Sequence, residues 1–322
     1  MGTVVALGGQ VGGAKLAEGL YRLRGKDLTV VVNTGDEFEY LGLTVSPDLD
    51  TMLYALAGIA DTAKGWEPAG ETFACHAMLM RLRGPGDVPI GDRALAFQLL
   101  RAEALHGERT PTAITLELAQ RLGIEARVLP MCDEPVRTIV NTESGAMSFQ
   151  DYFVDLKCEP AVRSFQYGGA DDARPSDEVL DALHAPDLEA VVLLPCNPYH
   201  TILPILSVPG VREALRRRGA PVLAVSPIIG GRALQGSAAK VMRELGREVS
   251  ARAVAMEYYK LIDGIVVDTA DESLVEGIRA SGFHAVATPT FMRTAEDRLR
   301  LARAVLDFAR AVRLRKEIAA DA

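Results

Sequence analysis

The chain has 322 residues, 48% hydrophobic and 24% charged, with a formal net charge of −8. That balance suits a globular protein with a sizeable core, arranged as one large α/β domain or two smaller ones. The acidic excess argues against broad binding of nucleic acid or anionic membrane, and no apolar run approaches the ~20 residues of a membrane-spanning helix, so neither kind of partner is expected.

The first apolar run, Thr3 to Leu7, leads into Gly8-Gly9-Gln10-Val11-Gly12-Gly13 and then a helix-like run from Ala14 to Leu23. Strand, glycine turn and helix in that order aim backbone N–H groups and a helix N-terminus at a phosphate. Lys15, in the first helical turn, adds a positive charge. Neither the Walker loop nor the dinucleotide fingerprint is matched: Lys15 comes two residues after Gly13, and Gln10 takes the place of the fingerprint's second glycine. A tight strand-to-helix connection is the plainer reading of the same glycines. Position after the first strand of an open α/β sheet favours a ligand.

A second strand, Leu28–Val32, delivers Asn33-Thr34-Gly35-Asp36 to the same edge. Pro47-Asp48-Leu49-Asp50 follows, ahead of a helical run over Thr51–Ala60. In an extended segment Asp48 and Asp50 point the same way. Carboxylates gathered like this repel unless a proton or cation separates them, and Mg²⁺ bridging to diphosphate oxygens would do so. Taken alone, Asp50 reads as a helix N-cap.

Residues 50–123 carry helical patterns over Thr51–Ala60, Phe73–Arg83 and Arg93–Leu105, and another helix starts with Thr110 as N-cap and Pro111 at its first position. The stretch is read as a helical insertion or lid. Gly91-Asp92-Arg93 opens its third helix, with Asp92 as N-cap and Arg93 either solvated or carried over the cleft. Residues 127–154 revert to short strand-like pieces and hairpins. Further strands are expected at Ala190–Leu194, Pro221–Val225 and Gly264–Asp268, with helices at Val211–Arg218 and Ala251–Leu261. Thr294-Ala295-Glu296-Asp297 reads as a capping box for the last helix. Near-continuous apolar strands separated by helices predict a doubly wound, mostly parallel sheet of Rossmann-like three-layer architecture, forming a single α/β domain over residues 1–322 with the insertion at about 50–123.

Pro195-Cys196-Asn197-Pro198 and Ser226-Pro227-Ile228-Ile229-Gly230-Gly231 each follow a strand, at the edge where the glycine turn lies. Asn197 carries donors and acceptors for reading a base or sugar; Ser226 and the glycine pair offer a hydroxyl and backbone to a phosphate. The four cysteines form no CxxC pair and read as free thiols of a cytoplasmic protein. His76 and His200 read as structural residues. With no nucleophile triad, the pattern suits chemistry driven by positioning and electrostatics, as in phosphoryl transfer.

In order and context, Leu7–Lys15, Val31–Asp36, Pro47–Thr51, Gly91-Asp92-Arg93, Asn197-Pro198 and Ser226–Gly230 resemble the CofD-like 2-phospho-L-lactate transferases, from the N-terminus to about Phe308. The resemblance implies a step in coenzyme F-420 biosynthesis. A phospho-(three-carbon acid) group would pass from a guanosine diphospho-linked donor to the terminal ribityl hydroxyl of the deazaflavin Fo, and GMP would leave. It further implies Mg²⁺ on Asp36 and Asp50, with Asp48 beside them as catalytic carboxylates. The nucleotide would be held by Gly8, Gly9, Gly12, Gly13, Lys15, Asn33, Arg93, Asn197, Ser226, Ile228 and Gly230. Family members tend to be homodimers, and often carry an aromatic- or lysine-bearing segment where this chain has Val88-Pro89-Ile90. The competing readings are a YvcK-like regulatory protein that binds a nucleotide sugar, expected to lack the paired PDLD and SPIIG pieces, and a dinucleotide-dependent dehydrogenase, against which the missing fingerprint glycine argues.

Overall fold

A computed structural model describes residues 2–84, 88–217, 219–234 and 236–320. Seven strands form the central sheet: β1 (Thr3–Gly8), β2 (Leu28–Val32), β3 (Arg127–Pro130), β4 (Leu188–Leu193), β5 (Val222–Val225), β6 (Gly264–Val267) and β7 (His284–Ala287). Their spatial order is β7-β6-β5-β4-β1-β2-β3, and every neighbouring pair is parallel. The apolar runs are buried along β1, β2, β4, β5 and β6, as a sheet covered on both faces requires. The expected doubly wound sheet is thus observed.

From β1 the chain winds outward through β2 to β3, then returns to β4 on the other side of β1 and winds away through β5, β6 and β7. Right-handed crossovers in opposite directions put helices on opposite faces. The order reverses between β1 and β4, so the carboxyl ends of those two strands flank the crevice where such sheets bind ligands.

Five helices build the first half: α1 (Gln10–Arg24), α2 (Pro47–Leu56), α3 (Ala74–Arg83), α4 (Asp92–His106) and α5 (Pro111–Arg121). α1 packs against both α2 and the long C-terminal helix Ala295–Ala320. The latter begins with a reciprocal cap: the Asp297 amide donates to Thr294 Oγ1 at 3.2 Å, and the Thr294 amide donates to the Asp297 carboxylate at 3.0 Å. Thr110 caps α5 through Ala113, as expected.

The boundaries of the insertion need correction. α2 starts at Pro47, and Asp48 to Leu56 are buried throughout, so α2 belongs to the helical layer over the sheet. The more exposed part begins after it and contains α3, none of whose residues is buried. Residues 127–154 divide between β3 and a hairpin, Arg137–Thr142 with Gly145–Ser148, whose first strand also pairs with Val162–Gly168. β7 and Val162–Gly168 had no sequence signal strong enough to assign. The helix expected over Val211–Arg218 is observed as Val211–Arg217; Arg218 lies outside the described residues.

Candidate active site at the switch point of the sheet

A cavity of about 850 Å³ opens above the β1/β4 crevice. Gln10, Val11, Gly12 and Lys15 line it from the start of α1, Asp36 from the end of β2, and Asp48 and Asp50 from α2. Pro195, Asn197 and His200 line it beyond β4, Ser226, Pro227 and Ile229 beyond β5, and Thr290 to Met292 beyond β7. The loops expected to converge therefore do so.

Within the glycine turn the roles divide. An added Cβ would lie 2.8 Å from Leu194 at Gly8 and 2.6 Å from Cys196 Sγ at Gly13, so these two glycines admit the chain leaving β4. At Gly9 it would lie 2.1 Å from the Asp48 carboxylate. Gly8, Gly9 and Gly13 are thus packing glycines, which corrects their reading as ligand contacts; Gly12 alone of the four lines the cavity. Gln10 takes a left-handed φ of 55°, and its amide donates to Asp48 Oδ1 at 2.8 Å. The first donor of α1 is therefore taken by a carboxylate.

Asp48 Oδ2 accepts a 3.0 Å hydrogen bond from Asn33 Nδ2, which also donates to the His200 carbonyl at 3.1 Å. Asn33 is thereby a brace between β2, α2 and the loop after β4. Asp36 Oδ2 lies 3.2 Å from His200 Nδ1, while Asp36 Oδ1 is buried without a hydrogen-bond partner. Burial first, and then the Asp36 charge, push the Asp48 carboxyl up to about 7 against the hydrogen bonds from Asn33 and Gln10.

The folded state of the ligand-free protein therefore binds a proton at Asp48 that the unfolded chain has released above about pH 4. The resulting penalty is absent below about pH 4, grows as pH rises and is complete above about pH 7. Urea unfolding of the ligand-free protein should show this contribution to stability falling from pH 5 to pH 8. Asp48→Asn should remove that part of the slope; an identical slope in the variant would show that Asp48 does not titrate there.

Asp50 is placed differently from the sequence expectation. Asp48 and Asp50 lie in the first turn of α2, where residues two apart diverge around the axis, and the residue before the helix is Ser46. Both Asp50 oxygens are engaged by Arg101 of α4: NH2 meets Oδ1, and NH1 lies 3.3 Å from Oδ2. The pair is buried, with side-chain exposures of 6% for Arg101 and 7% for Asp50. The N-cap reading of Asp50 does not survive this arrangement, and the Arg101 cation already neutralises the charge that the metal reading required. Of the three aspartates, Asp36, with one oxygen unpartnered, and Asp48, whose oxygens accept only from the neutral N–H groups of Gln10 and Asn33, remain for a cation. Among the described residues no group of three or more His, Cys, Asp and Glu side chains is arranged to hold a metal. The remaining coordination would have to come from ligand oxygens and water, as Mg²⁺ accepts readily. An unpartnered carboxylate oxygen beside a second carboxylate fits such a site.

Three more expectations are corrected. Arg93 does not line the cavity; its guanidinium donates to the Ala69 carbonyl at 2.5 Å. Gly230 and Gly231, both with positive φ, form the two-residue turn of a hairpin pairing Ile229 with Arg232, and the Gly230 amide donates to Asp271 at 2.9 Å. Ile228 is fully buried, and its carbonyl accepts from Ser226 Oγ at 2.9 Å, so that hydroxyl is already committed. Asn197 fares better: Oδ1 accepts from the Tyr199 amide at 2.9 Å, leaving a buried Nδ2 without a partner at the cavity wall. Lys15 stays at the cavity, its ammonium pKa lowered by burial and by Arg298.

Sequence reasoning took His200 as structural without seeing that it lies at the cavity beside Asp36. It follows Asn197 on a single π-helical turn, Pro198–Ile202, stacks on Phe149 at 4.3 Å and lies 3.3 Å from Gln10 Nε2. Its one available signal was a histidine three residues beyond Asn197 at a strand end. The helices of the insertion are also clasped reciprocally. Asp92, opening α4, accepts from Thr72 and from the amides that open α3, while Glu71, just before α3, accepts from the amides of Arg93 and Ala94. A Cβ at Gly91 would strike Glu71 at 2.1 Å. The Gly-Asp-Arg triplet is a structural clasp.

These features define a doubly wound α/β protein with a ligand cleft at the reversal of its sheet. The family model described as 2-phospho-L-lactate transferase CofD matches residues 4–304. The chain belongs to that family. It is similar to a phosphoenolpyruvate transferase of Streptomyces griseus, at 38% identity over 317 residues, covering 96% of this chain and 99% of the relative. It is also similar to a 2-phospho-L-lactate transferase of Methanosarcina acetivorans, at 36% over 304 residues, covering 94% and 98%. Among solved structures, protein BH3568 of Bacillus halodurans shares the fold, with a TM-score of 0.62 at 17% identity over 95% of this chain and 99% of that one.

Proposed function

We propose that the protein transfers a phospho-(three-carbon acid) group from a guanosine diphospho-linked donor to the terminal ribityl hydroxyl of deazaflavin Fo. The hydroxyl oxygen forms a bond to the phosphorus that carries the acid, the bond from that phosphorus to the GMP oxygen breaks, and the hydroxyl proton is released. The observation that carries this reading is one cleft with two characters. Gly12, Lys15, Asp36, Asp48 and Asn197 line it with polar groups, and Trp66, Phe73, Phe149, Phe153 and Phe291 line it with aromatic rings. A diphosphate suits the first and a flat three-ring acceptor the second.

Asp36 and Asp48 would hold Mg²⁺, which when bound supplies positive charge against the diphosphate. Lys15 adds charge from α1, and the Asn197 amide reads the nucleotide. His200 and Asn33 hold the two carboxylates in place from behind, and the aromatic rings offer flat surfaces for the acceptor to stack on. Names of relatives include both phosphoenolpyruvate and 2-phospho-L-lactate transferases, so the donor acid is an arm of the test.

Purified protein should be incubated with Fo, Mg²⁺ and the lactate, enolpyruvate or glycerate donor, and products analysed by mass spectrometry. GMP and a phosphodiester of Fo are expected with at least one donor. Absence of product with all three, alongside tight binding of a nucleotide sugar, would favour a regulatory binding protein instead.

A further inference from the structure

Side chains of α2 and α4 meet at the Asp50–Arg101 ion pair and at the Tyr54–Phe97 ring contact. Asp50 and Tyr54 lie one turn apart on α2, and Gln98 and Arg101 lie one turn apart on α4. Asp50 and Arg101 satisfy each other. Tyr54 and Gln98, on the same two faces, do not. The Tyr54 hydroxyl and Gln98 Oε1 are both buried without a hydrogen-bond partner, and both residues line the cavity. Tyr54 is 1% exposed and Gln98 is 3% exposed.

Buried polar atoms are nearly always paired, because each one left unpaired forfeits its hydration without return. The Tyr54 ring is held edge-on by Phe97 at 5.0 Å, so the hydroxyl is fixed in place. Burial and the neighbouring Asp50 charge raise the phenol pKa, so it remains a protonated donor. The same cavity is also lined by the apolar side chains of Val45, Trp66, Phe73, Pro89 and Ile90. One unpartnered hydroxyl donor and one unpartnered amide oxygen on residues lining this cavity suit a planar heterocycle that presents both C=O and N–H.

We propose that Tyr54 and Gln98 form the recognition niche for the N–H/C=O edge of the acceptor's pyrimidinedione ring, and so select a deazaflavin. This inference rests on the transferase reading above and assigns the insertion side of the cleft to the acceptor. The phenol donates to a ring carbonyl, and the Gln98 amide oxygen accepts from the ring N–H between the two carbonyls. The ribityl chain then runs through the same cavity toward Asp36 and Asp48.

Fluorescence titration of Fo and calorimetry of GDP, each on the wild type, Tyr54→Phe and Gln98→Met, test the assignment. Each variant should bind Fo about tenfold more weakly, the cost of one hydrogen bond in a buried site, while GDP affinity stays the same. Tyr54→Phe should melt at or above the wild-type temperature, because it removes an unpaired hydroxyl; a purely structural role would lower it. An N3-methylated Fo should lose affinity for the wild type and bind the Gln98→Met variant as well as unmodified Fo does. Unchanged Fo affinity in both variants, or a loss of GDP affinity in place of Fo affinity, overturns the niche while leaving the transferase reading intact. A wild type that binds no Fo overturns that reading, and the niche with it.

Discussion

Asp36→Asn should cut turnover on the order of 10²–10³-fold, the range seen when one preorganised electrostatic group is removed from a water-poor site. It should do so with little loss of stability. Asp36 Oδ1 has no partner to lose, and the other oxygen meets only His200 at 3.2 Å. Neutralising the residue also relieves its repulsion of Asp48, whose carboxyl should fall back from about 7 toward the ordinary range. The expected signature is a wild-type or higher melting temperature, a collapsed kcat and a weakened response to Mg²⁺ titration. Wild-type turnover in Asp36→Asn would remove Asp36 from the reaction.

Asp50→Asn should behave in the opposite way. The substitution leaves the Arg101 guanidinium buried with its charge partner gone, and breaking one side of a buried pair costs about 3–5 kcal/mol. That is a large share of a typical domain's stability, so the urea midpoint should drop sharply. Adding Arg101→Leu should restore much of the loss, because the uncompensated charge goes with it. An Asp50→Asn midpoint equal to the wild type would show that the ion pair does not carry the α2–α4 contact. The metal-ligand role that the family resemblance implied for Asp50 would instead make the same substitution strike turnover far more than stability. The reversal follows from a partner 51 residues away in the chain.

The sheet was legible because its signal is local: runs such as Leu28–Val32, apolar but for Thr29, and Val222–Val225 are buried throughout, as a doubly covered strand requires. The edge on which the loops gather was legible for the same reason, since a parallel strand fixes where its carboxyl end points. What escaped was tertiary. Nothing near Asp50 in the chain announces Arg101, and nothing near Gly8 announces that Leu194 will press against it. The Ser226–Gly231 loop reads equally well as an anion cradle or as a serine turn closed on itself followed by a tight hairpin, and only pairing of Ile229 with Arg232 separates the two. His200 was legible only as a structural residue, because a lone histidine carries no information about the site until Asp36 and Phe149 are brought beside it.

The Glu71–Asp92 clasp makes the segment between its two ends a replaceable cassette. Because the ends are tied to each other by side-chain-to-amide hydrogen bonds, the intervening chain can lengthen, shorten or change chemistry without shifting the junctions. Val88, Pro89 and Ile90 reach the cleft from inside that cassette. Transplanting the stretch from a relative, junction to junction, is therefore a route to retuning which co-substrate the enzyme takes while the anchoring frame is kept whole.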